Sequence, residues 1–223
     1  MSPIVSCTRC GGPVRPPGLV ASEWRCPACG PVLPLHVPEH TDRDVALTVS
    51  EHVGSAVPLW CPWPLPPGWL VTGLAWAGDD RSGTRATAVA CAGPAPLHDG
   101  PADVLLIAEE PGVGLGNRFA GLVGADPGMG VPDVVSTAAH ARIRVSGRDT
   151  PMWSLPTPGD RVAYVGEARG IWLYAVAWPA DAGYVFSDEI VLHDLTQWLP
   201  SELVYGAPSP YLHGPGRRGN FPL

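Results

Sequence analysis

The chain of 223 residues contains no lysine, and its fourteen basic residues are all arginine. Without lysine there is no Gly-Lys-Ser or Gly-Lys-Thr step, which excludes a P-loop that binds nucleotide phosphates. The preference for arginine, which GC-rich codons encode, indicates a high-GC genome. Only 16% of the residues are charged, whereas the chain holds 27 glycines and 28 prolines. Because nine tryptophans and five tyrosines predict a packed interior, we interpret the glycines and prolines as tight turns between short strands.

The sequence also contains no long apolar run, and we expect no secretory leader. No segment approaches the roughly 18 uninterrupted apolar residues that a membrane-spanning helix needs. The N-terminal sequence MSPIVSCTRC has no basic-then-apolar pattern and no small-residue cleavage site. We therefore expect a cytoplasmic protein without membrane association, whose cysteines are reduced or metal-bound rather than paired in disulfides.

Positive charge is scarce outside the N-terminal segment. The net charge is −7. Residues 1–35 carry Arg9, Arg15 and Arg25 against Glu23, whereas the remainder carries eleven arginines against twenty acidic residues. An acidic body repels a phosphate backbone, so we expect any contact with nucleic acid to involve the N-terminal segment alone.

The most specific motif in the sequence is formed by four cysteines: Cys7, Cys10, Cys26 and Cys29. Each pair has two intervening residues, a spacing that forms a tight knuckle in which both thiolates reach one metal ion. Gly11 and Gly30 follow the knuckles, where a residue without Cβ adopts a left-handed turn at little cost. The pattern predicts a zinc ribbon whose structural Zn²⁺ has no open position for catalysis. Two disulfides, four free thiols and a rubredoxin-type iron centre are the alternatives.

The rest of the chain is expected to be mainly β. We predict a fold with an N-terminal zinc ribbon followed by an α+β, mainly antiparallel β domain. The predicted segments are a zinc ribbon at 1–35, a linker with a short helix and a Pro-rich strap at 36–68, an antiparallel β-rich domain at 69–205, and a flexible tail at 206–223.

Local patterns place helices and strands within these segments. Thr41 and Asp44 predict a capping box for a helix that aligns Val45, Ala46, Val49 and His52 along one side. Five prolines in residues 56–69 favour an extended strap. Strands are predicted at 69–77, 84–92, 103–108, 142–145, 161–166, 171–178 and 184–192. The last strand ends the ordered core, either by itself or followed by a short helix through Trp198. Because short turns join consecutive strands, we expect antiparallel pairing.

Two further groups of residues are candidates for a functional site. The first is a candidate enzyme pocket: Asp79, Asp80, Glu109, Glu110 and Arg118. Adjacent carboxylates in a strand point to opposite faces, so turn and ion-pair roles compete with catalysis here and at Asp188–Glu189. The second is the loop at residues 111–117, in which Asn117 replaces the third glycine of a dinucleotide fingerprint, so a glycine-rich loop at a sheet end is favoured. Cys61 and Cys91 have apolar neighbours and are predicted to be buried thiols.

Several segments resemble an uncharacterised actinobacterial family that carries an N-terminal four-cysteine zinc ribbon. These segments are WCPWPLPPGWL, GLAWAGDDRSGTRATAVACAGPAPL, LIAEEPGVGLGNRFAG and VGEARGIWLYAVAWP. The resemblance extends from residue 7 to about residue 195 and implies no established activity, fold or catalytic residue. Some similar proteins carry a phosphotransacetylase label.

Three functions follow as hypotheses. The first is a protein-interaction or adaptor module, in which the ribbon contacts a protein partner and the body binds a protein or a small molecule. The second is a small acyl- or phosphoryl-transfer-type enzyme with a pocket in the β-rich domain. The third is a nucleic-acid or ribosome-associated factor that acts through Arg9, Arg15 and Arg25 of the ribbon.

Overall fold

The computed structural model describes residues 3–19, 21–97, 99–127, 138–187 and 190–213. Their strands are β1 (Ile4–Cys7), β2 (Arg25–Cys26), β3 (Gly30–Pro31), β4 (Pro34–Val37), β5 (Trp60–Pro62), β6 (Leu70–Asp79), β7 (Gly83–Pro94), β8 (Pro101–Glu109), β9 (Ala141–Val145), β10 (Arg148–Ser154), β11 (Val162–Ala168), β12 (Ile171–Trp178) and β13 (Val191–Asp194). Their helices are α1 (Arg43–Val53), α2 (Leu115–Ala120), α3 (Pro210–His213) and a 3₁₀ helix, Ala180–Ser187.

Eleven of the described strands form one sheet in the order β1-β4-β6-β7-β8-β12-β11-β10-β9-β13-β5, and β2 and β3 form a small separate hairpin. Pairing is antiparallel except between β13 and β9. Short turns explain this topology: β11 and β12 are joined by Arg169 and Gly170, whose positive φ angles of 60° and 83° suit a two-residue hairpin. The prediction of a mostly antiparallel β fold is confirmed.

The far end of the sheet folds back over its centre. The last strand, β5, packs against β7 and β8. The Thr87 hydroxyl donates a hydrogen bond to the carbonyl of Pro58, which fixes the strap at residues 56–69 on β7. Trp60 and Leu106 lie in the core between the two layers, each 1% exposed. The proline-rich strap therefore closes the core, and its short strand β5 takes the edge position where proline is tolerated.

A second core lies on the opposite face of the sheet. Successive side chains of a strand point to opposite faces, and β8 follows this alternation closely. Val104 and Leu106 enter the first core, while Leu105 and Ile107 enter the second. Helix α2 packs on β8 and β12 over this second face. The glycine-rich loop at residues 111–117 leads into its first turn.

Helix α1 confirms the predicted helix but not its cap. Asp42 is the N-cap, because its Oδ1 accepts a hydrogen bond from the N–H of Val45 at 2.8 Å. Thr41 therefore does not cap the helix. The buried face includes Val53 rather than the predicted His52, which is exposed, since the apolar residue four positions after Val49 continues the same face.

The strand predicted at 184–192 is wrong over its first part. Residues 180–187 form a 3₁₀ helix, and strand structure begins only at Val191. Ala182, Val185 and Phe186 are buried on the first core, at a spacing that matches a turn of three residues rather than strand alternation. The acidic pair Asp188–Glu189 lies outside the described residues.

The last described residues, 206–213, also differ from the expected flexible tail. Leu212 is buried, and the Ser209 hydroxyl donates to Asp103 Oδ1 at 3.1 Å. His213 contacts the carbonyl of Pro38 at 2.9 Å. Residues 206–213 therefore pack on the body, and residues 214–223 of the predicted tail lie outside the described residues.

The predicted boundary between ribbon and body does not coincide with a break in the fold. Strand β4 pairs with β1 on one side and with β6 on the other. A division at residue 35 would cut β4 in two, so a ribbon distinct from the body is not observed. We call residues 7–33 the cysteine module; it projects from the edge of the main sheet between β1 and β4.

Candidate metal centre

The four cysteines of the module form one cluster. Their sulfur atoms all lie within 4.8 Å of one another, and Cys10 Sγ and Cys26 Sγ are 3.5 Å apart. A tetrahedral shell with metal–sulfur bonds of about 2.3 Å has sulfur–sulfur edges of about 3.8 Å. All six cysteines of the chain are free thiols. The cluster therefore fits one metal ion.

The first knuckle is held by its own backbone. The N–H of Cys7 donates to the carbonyl of Gly12 at 2.8 Å, and the N–H of Gly11 donates to the carbonyl of Cys7 at 3.0 Å. The N–H of Gly12 points to Cys10 Sγ at 3.4 Å. Gly11 has a φ of 74°, so the predicted left-handed turn is confirmed.

The second knuckle lies on the β2–β3 hairpin, where Cys26 pairs with Gly30 and Gly30 has a φ of 75°. Backbone N–H groups of Cys29 and Ala28 lower the pKa of Cys26 to about 7. In contrast, hydrogen bonding with the Cys10 thiol and burial raise the pKa of Cys29 to about 12. Four crowded thiols resist full ionisation by themselves, and a metal cation is what stabilises them as thiolates.

The cysteine module has almost no core of its own. From Arg9 to Gly30, Cys26 is the single buried residue among those described. Leu19, at the tip of the module, is 109% exposed. Apolar burial cannot fold such a segment, so its stability depends on its contacts with the body and on any metal ion that the four cysteines bind.

Arg118 of α2 forms the main contact between the body and the cluster. Its Nη1 donates to the carbonyl of Cys7 at 2.9 Å. Gly11 leaves room for this approach, because a Cβ at that position would lie 2.8 Å from Arg118 Nη2 and would displace the guanidinium. Burial lowers the pKa of Arg118, and the thiolates of Cys7 and Cys10 act in the opposite direction. The guanidinium thus places positive charge beside a cluster that is dianionic when four thiolates bind a divalent ion.

The glycine-rich loop at residues 111–117 forms a second contact. Arg9 of the first knuckle donates from Nη2 to the carbonyl of Gly112 at 3.0 Å and from Nε to the carbonyl of Val113 at 3.4 Å. The loop therefore presents its carbonyl groups, rather than its N–H groups, to the module. This orientation suits a cationic partner and does not suit a phosphate.

The N–H groups of the same loop are occupied by carboxylates of the chain itself. Gly112 N–H donates to Asp126 Oδ1 at 2.7 Å, and Leu115 N–H donates to Glu109 Oε2 at 2.7 Å. Glu109 takes the place that a bound anion would occupy at the start of α2. The expectation that this loop is structural agrees with these contacts.

Glu109 is the most strongly perturbed carboxyl group near the site. It is 0% exposed, and burial raises its pKa to about 7; N–H groups of the loop oppose the shift, while Asp126 adds to it. Its Oε1 has no hydrogen-bond partner among the described residues. Tyr174 lies nearby and donates from its hydroxyl to Asn117 Oδ1 at 3.1 Å. This buried group has no opening to solvent and supports the loop.

The residues predicted to form an enzyme pocket occupy separate places. Asp79 Oδ1 accepts hydrogen bonds from the N–H groups of Arg81 and Ser82, so it caps the β6–β7 turn, and Asp80 is exposed on that turn. Glu110 forms an ion pair with Arg85. Glu109 is buried beneath the glycine-rich loop, and the half-buried Arg118 contacts the Cys7 carbonyl. The set does not share one cleft within the described residues.

The arginines of the ribbon do not present one basic surface either. Arg9 faces the body, and Arg25 forms an ion pair with Glu23 at 3.2 Å. Arg15 is exposed. The hypothesis of nucleic-acid binding through these residues stays a prediction.

A cleft that the sequence did not predict lies between the cysteine module and the body. Its cavity has a volume of about 490 Å³. Four segments line it: the module, the β6–β7 turn, strand β7 and the glycine-rich loop. No local signal could have identified it, because residues such as Arg9 and Arg85 meet there only through the fold.

Cys61 and Cys91 lie outside the metal cluster. Both are 0% exposed, which confirms the prediction of buried thiols. Hydrogen bonding with the Cys61 thiol and burial raise the pKa of Cys91, so the Cys91 thiol remains protonated in the core.

Fold and site together define a mostly antiparallel β protein with a four-cysteine cluster that fits a metal ion. The chain belongs to a family of unknown function, DUF6758, whose model matches residues 1–212. No curated protein and no solved structure matches the chain. None of the helices in the described parts of the chain has the length and apolar character needed to cross a membrane.

Proposed function

We propose that this chain is a zinc-binding interaction protein in which a structural Zn²⁺ holds the cysteine module over the body and thereby forms a binding cleft. The single observation behind this proposal is that the module, one wall of the cleft, lacks an apolar core: Cys26 is its one buried residue between Arg9 and Gly30 among those described. The metal would supply the folding free energy that the module needs.

The choice of zinc rests on the chemistry of the donors. Four thiolates in a tetrahedral arrangement suit Zn²⁺, which has no preference for another geometry. A closed shell of four sulfurs leaves no position for water or substrate, so we assign the ion a structural role. The reduced thiols support a cytoplasmic location, and the absence of lysine supports a high-GC, actinobacterial source.

The choice of binding over catalysis rests on how polar groups are used. Glu109 is buried beneath the glycine-rich loop, Glu110 pairs with Arg85, and Asp79 caps a turn. Each carboxylate thus has a structural partner. The cleft, in contrast, is open and bordered by arginine side chains. A small-molecule or protein partner is therefore favoured over a reaction as the function of this chain.

Metal analysis of the full chain, purified without added metal, tests the proposal. We expect one zinc per chain, and none in Cys26→Ser. Cys91→Ala, which removes a buried thiol outside the cluster, is the matched control and should retain zinc. Iron in place of zinc, or zinc retained by Cys26→Ser, would contradict the assignment.

The link between metal and cleft needs its own measurement. The indole N–H signal of Trp24, which lines the cleft from the module, can be assigned in the NMR spectrum with Trp24→Phe. Chelation of the metal should shift this signal toward the position of an unfolded chain, while the signal of Trp60 in the core stays. A Trp24 signal that does not respond to metal removal would refute the proposed role of zinc in shaping the cleft.

A further inference from the structure

We infer that the cleft between the cysteine module and the body binds a small organic acid, in which one carboxylate is attached to an apolar group. This inference rests on the proposed function, because the cysteine module forms one wall of the cleft. The cavity of about 490 Å³ lies within the range of about 300–1,000 Å³ that is typical of small-molecule sites.

The apolar part of the ligand has a defined surface to contact. Trp24, Val32 and Leu33 of the module and Val113 of the glycine-rich loop line the cavity. The ring of Trp24 is held edge-on against His36, with ring centroids 6.3 Å apart and an interplanar angle of 86°. A fixed indole beside aliphatic side chains favours a compact apolar or aromatic body.

The charged part of the ligand is selected by arginines. Arg9, Arg81 and Arg85 all line the cavity, although the chain outside residues 1–35 is strongly acidic. Arg85 is neutralised by Glu110. Arg9 is held by the carbonyls of Gly112 and Val113.

Arg81 is held in the same manner by a carbonyl of the module. Its Nη1 donates to the carbonyl of Ser22 at 2.6 Å. Among the described residues, neither Arg81 nor Arg9 has a carboxylate oxygen within 4.0 Å of its guanidinium. Although burial raises the pKa of Asp79, hydrogen bonds from Ser82 and the charge of Arg81 together lower it below its usual value. Carbonyl groups position a guanidinium without neutralising its charge, so both side chains are oriented and retain donors for an anion.

Acidic residues at the rim limit how much negative charge the ligand carries. Glu23 and Asp79 also line the cavity. Glu23 is paired with Arg25, and Asp79 is occupied by the N–H groups of its own turn, yet both remain negative. Each repels a polyphosphate more strongly than a monoanion. The charges therefore favour a single carboxylate.

The test uses three probes that share a phenyl ring and a three-carbon chain: 3-phenylpropionate, the neutral 3-phenylpropanamide and the cationic 3-phenylpropylamine. Each is titrated into the zinc-loaded full chain while the indole N–H signal of Trp24 is followed by NMR. We expect a saturable shift with the carboxylate, with a dissociation constant on the order of millimolar for so small a ligand, and none with the amine. Equal affinity for the amide and the carboxylate would overturn the inference. A fourth compound, phenyl phosphate, is largely dianionic at neutral pH. Tighter binding of phenyl phosphate than of 3-phenylpropionate would overturn the preference for a monoanion.

Arginine-to-glutamine variants test which side chains bind the carboxylate. Arg81 lies on an exposed turn away from the cysteines, so the Arg81→Gln variant should fold and retain zinc. We expect it, and separately Arg9→Gln, to weaken binding of 3-phenylpropionate about threefold to fivefold, the effect of losing one partly exposed ion pair. Arg15→Gln is the matched control on the same module and should bind as wild type does. Unchanged affinity in Arg81→Gln would refute the role of the cleft.

The zinc content of every sample separates this inference from the proposed function. A sample with one zinc per chain and a dispersed Trp24 signal that does not respond to 3-phenylpropionate overturns the ligand assignment alone. A sample without zinc overturns the proposed function and, with it, the basis for a formed cleft.

Discussion

The substitution Cys26→Ser tests how much the cysteine module contributes to the stability of the body. Serine removes one of the four sulfurs, so the metal should be lost and residues 7–33 should unfold. Strands β1 and β4 should remain paired from Ile4 to Ser6, because Cys7 is the single residue of their ladder that belongs to the cluster, and the pairing of β4 with β6 does not involve it. The main unfolding transition should therefore persist at a lower temperature.

The size of the shift follows from the contacts that the module makes with the body. The hydrogen bond from Arg118 to the Cys7 carbonyl joins a charged donor to a neutral acceptor, a type worth about 1.5–3 kcal/mol. The hydrogen bonds of Arg9 with Gly112 and of Arg81 with Ser22 are exposed to water and add little. We expect a loss near 2 kcal/mol, which at about 2–4 °C per kcal/mol for a chain of this size lowers Tm by about 4–8 °C.

Calorimetry of a double-mutant cycle provides the assay. Arg118→Met removes the contact but leaves all four sulfurs, so it should retain zinc and show a similar shift. Since both changes break the same contact, their effects should not add in the double variant. A main transition that Cys26→Ser leaves unmoved, or one that it abolishes, would refute the reasoning; full additivity would show that Arg118 is not the link.

Three further predictions concern the body. Glu109→Gln removes a carboxyl whose folded pKa of about 7 exceeds the ordinary 4.5. The folded chain keeps a proton there that the unfolded chain has released, so the unfolding free energy of wild type should fall from about pH 4.5 to 7 more steeply than that of the variant; equal slopes would contradict the burial argument. Asp42→Ala should cost about 1 kcal/mol by loss of the α1 cap, measured by urea unfolding, and a neutral result would place the cap elsewhere. Gly116→Ala should destabilise by more than that cap, because its Cβ would lie 2.2 Å from the Tyr174 ring, and wild-type stability would show that the ring can move.

Features with a local cause could be predicted from the sequence. Two residues between cysteines dictate a knuckle, and the glycines that follow adopt the left-handed conformation at Gly11 and Gly30. Hairpin β11–β12 has its strands only two residues apart, so neighbours in sequence become neighbours in space. The apolar stretch at 184–192 was misassigned because a short apolar run has the same composition in a strand and in a buried helical turn.

Features created by distant residues could not be predicted. Arg118 and Cys7 are separated by 111 positions, and no periodicity relates them. The same holds for the cleft, where Arg9 meets Arg81. The role of Glu109 was also hidden: its position at a strand end was visible, but its hydrogen bond to Leu115 depends on how the glycine-rich loop turns. Only the position of β4 between β1 and β6 explains why the module is not a separate domain.

The place of β1 at one end of the eleven-stranded sheet has a consequence for the protein in the cell. An edge strand offers unpaired backbone groups on which another chain can add a strand, and proteins protect such edges by covering or shortening them. Here β1 is four residues long and leads directly into the first knuckle, with Cys7 as its last residue. A chain that lacks the metal has a loose module at this edge, and any detachment of β1 uncovers β4 as a template for intermolecular pairing. A metal ion bound by the four cysteines would therefore also protect this edge of the sheet from pairing with another chain.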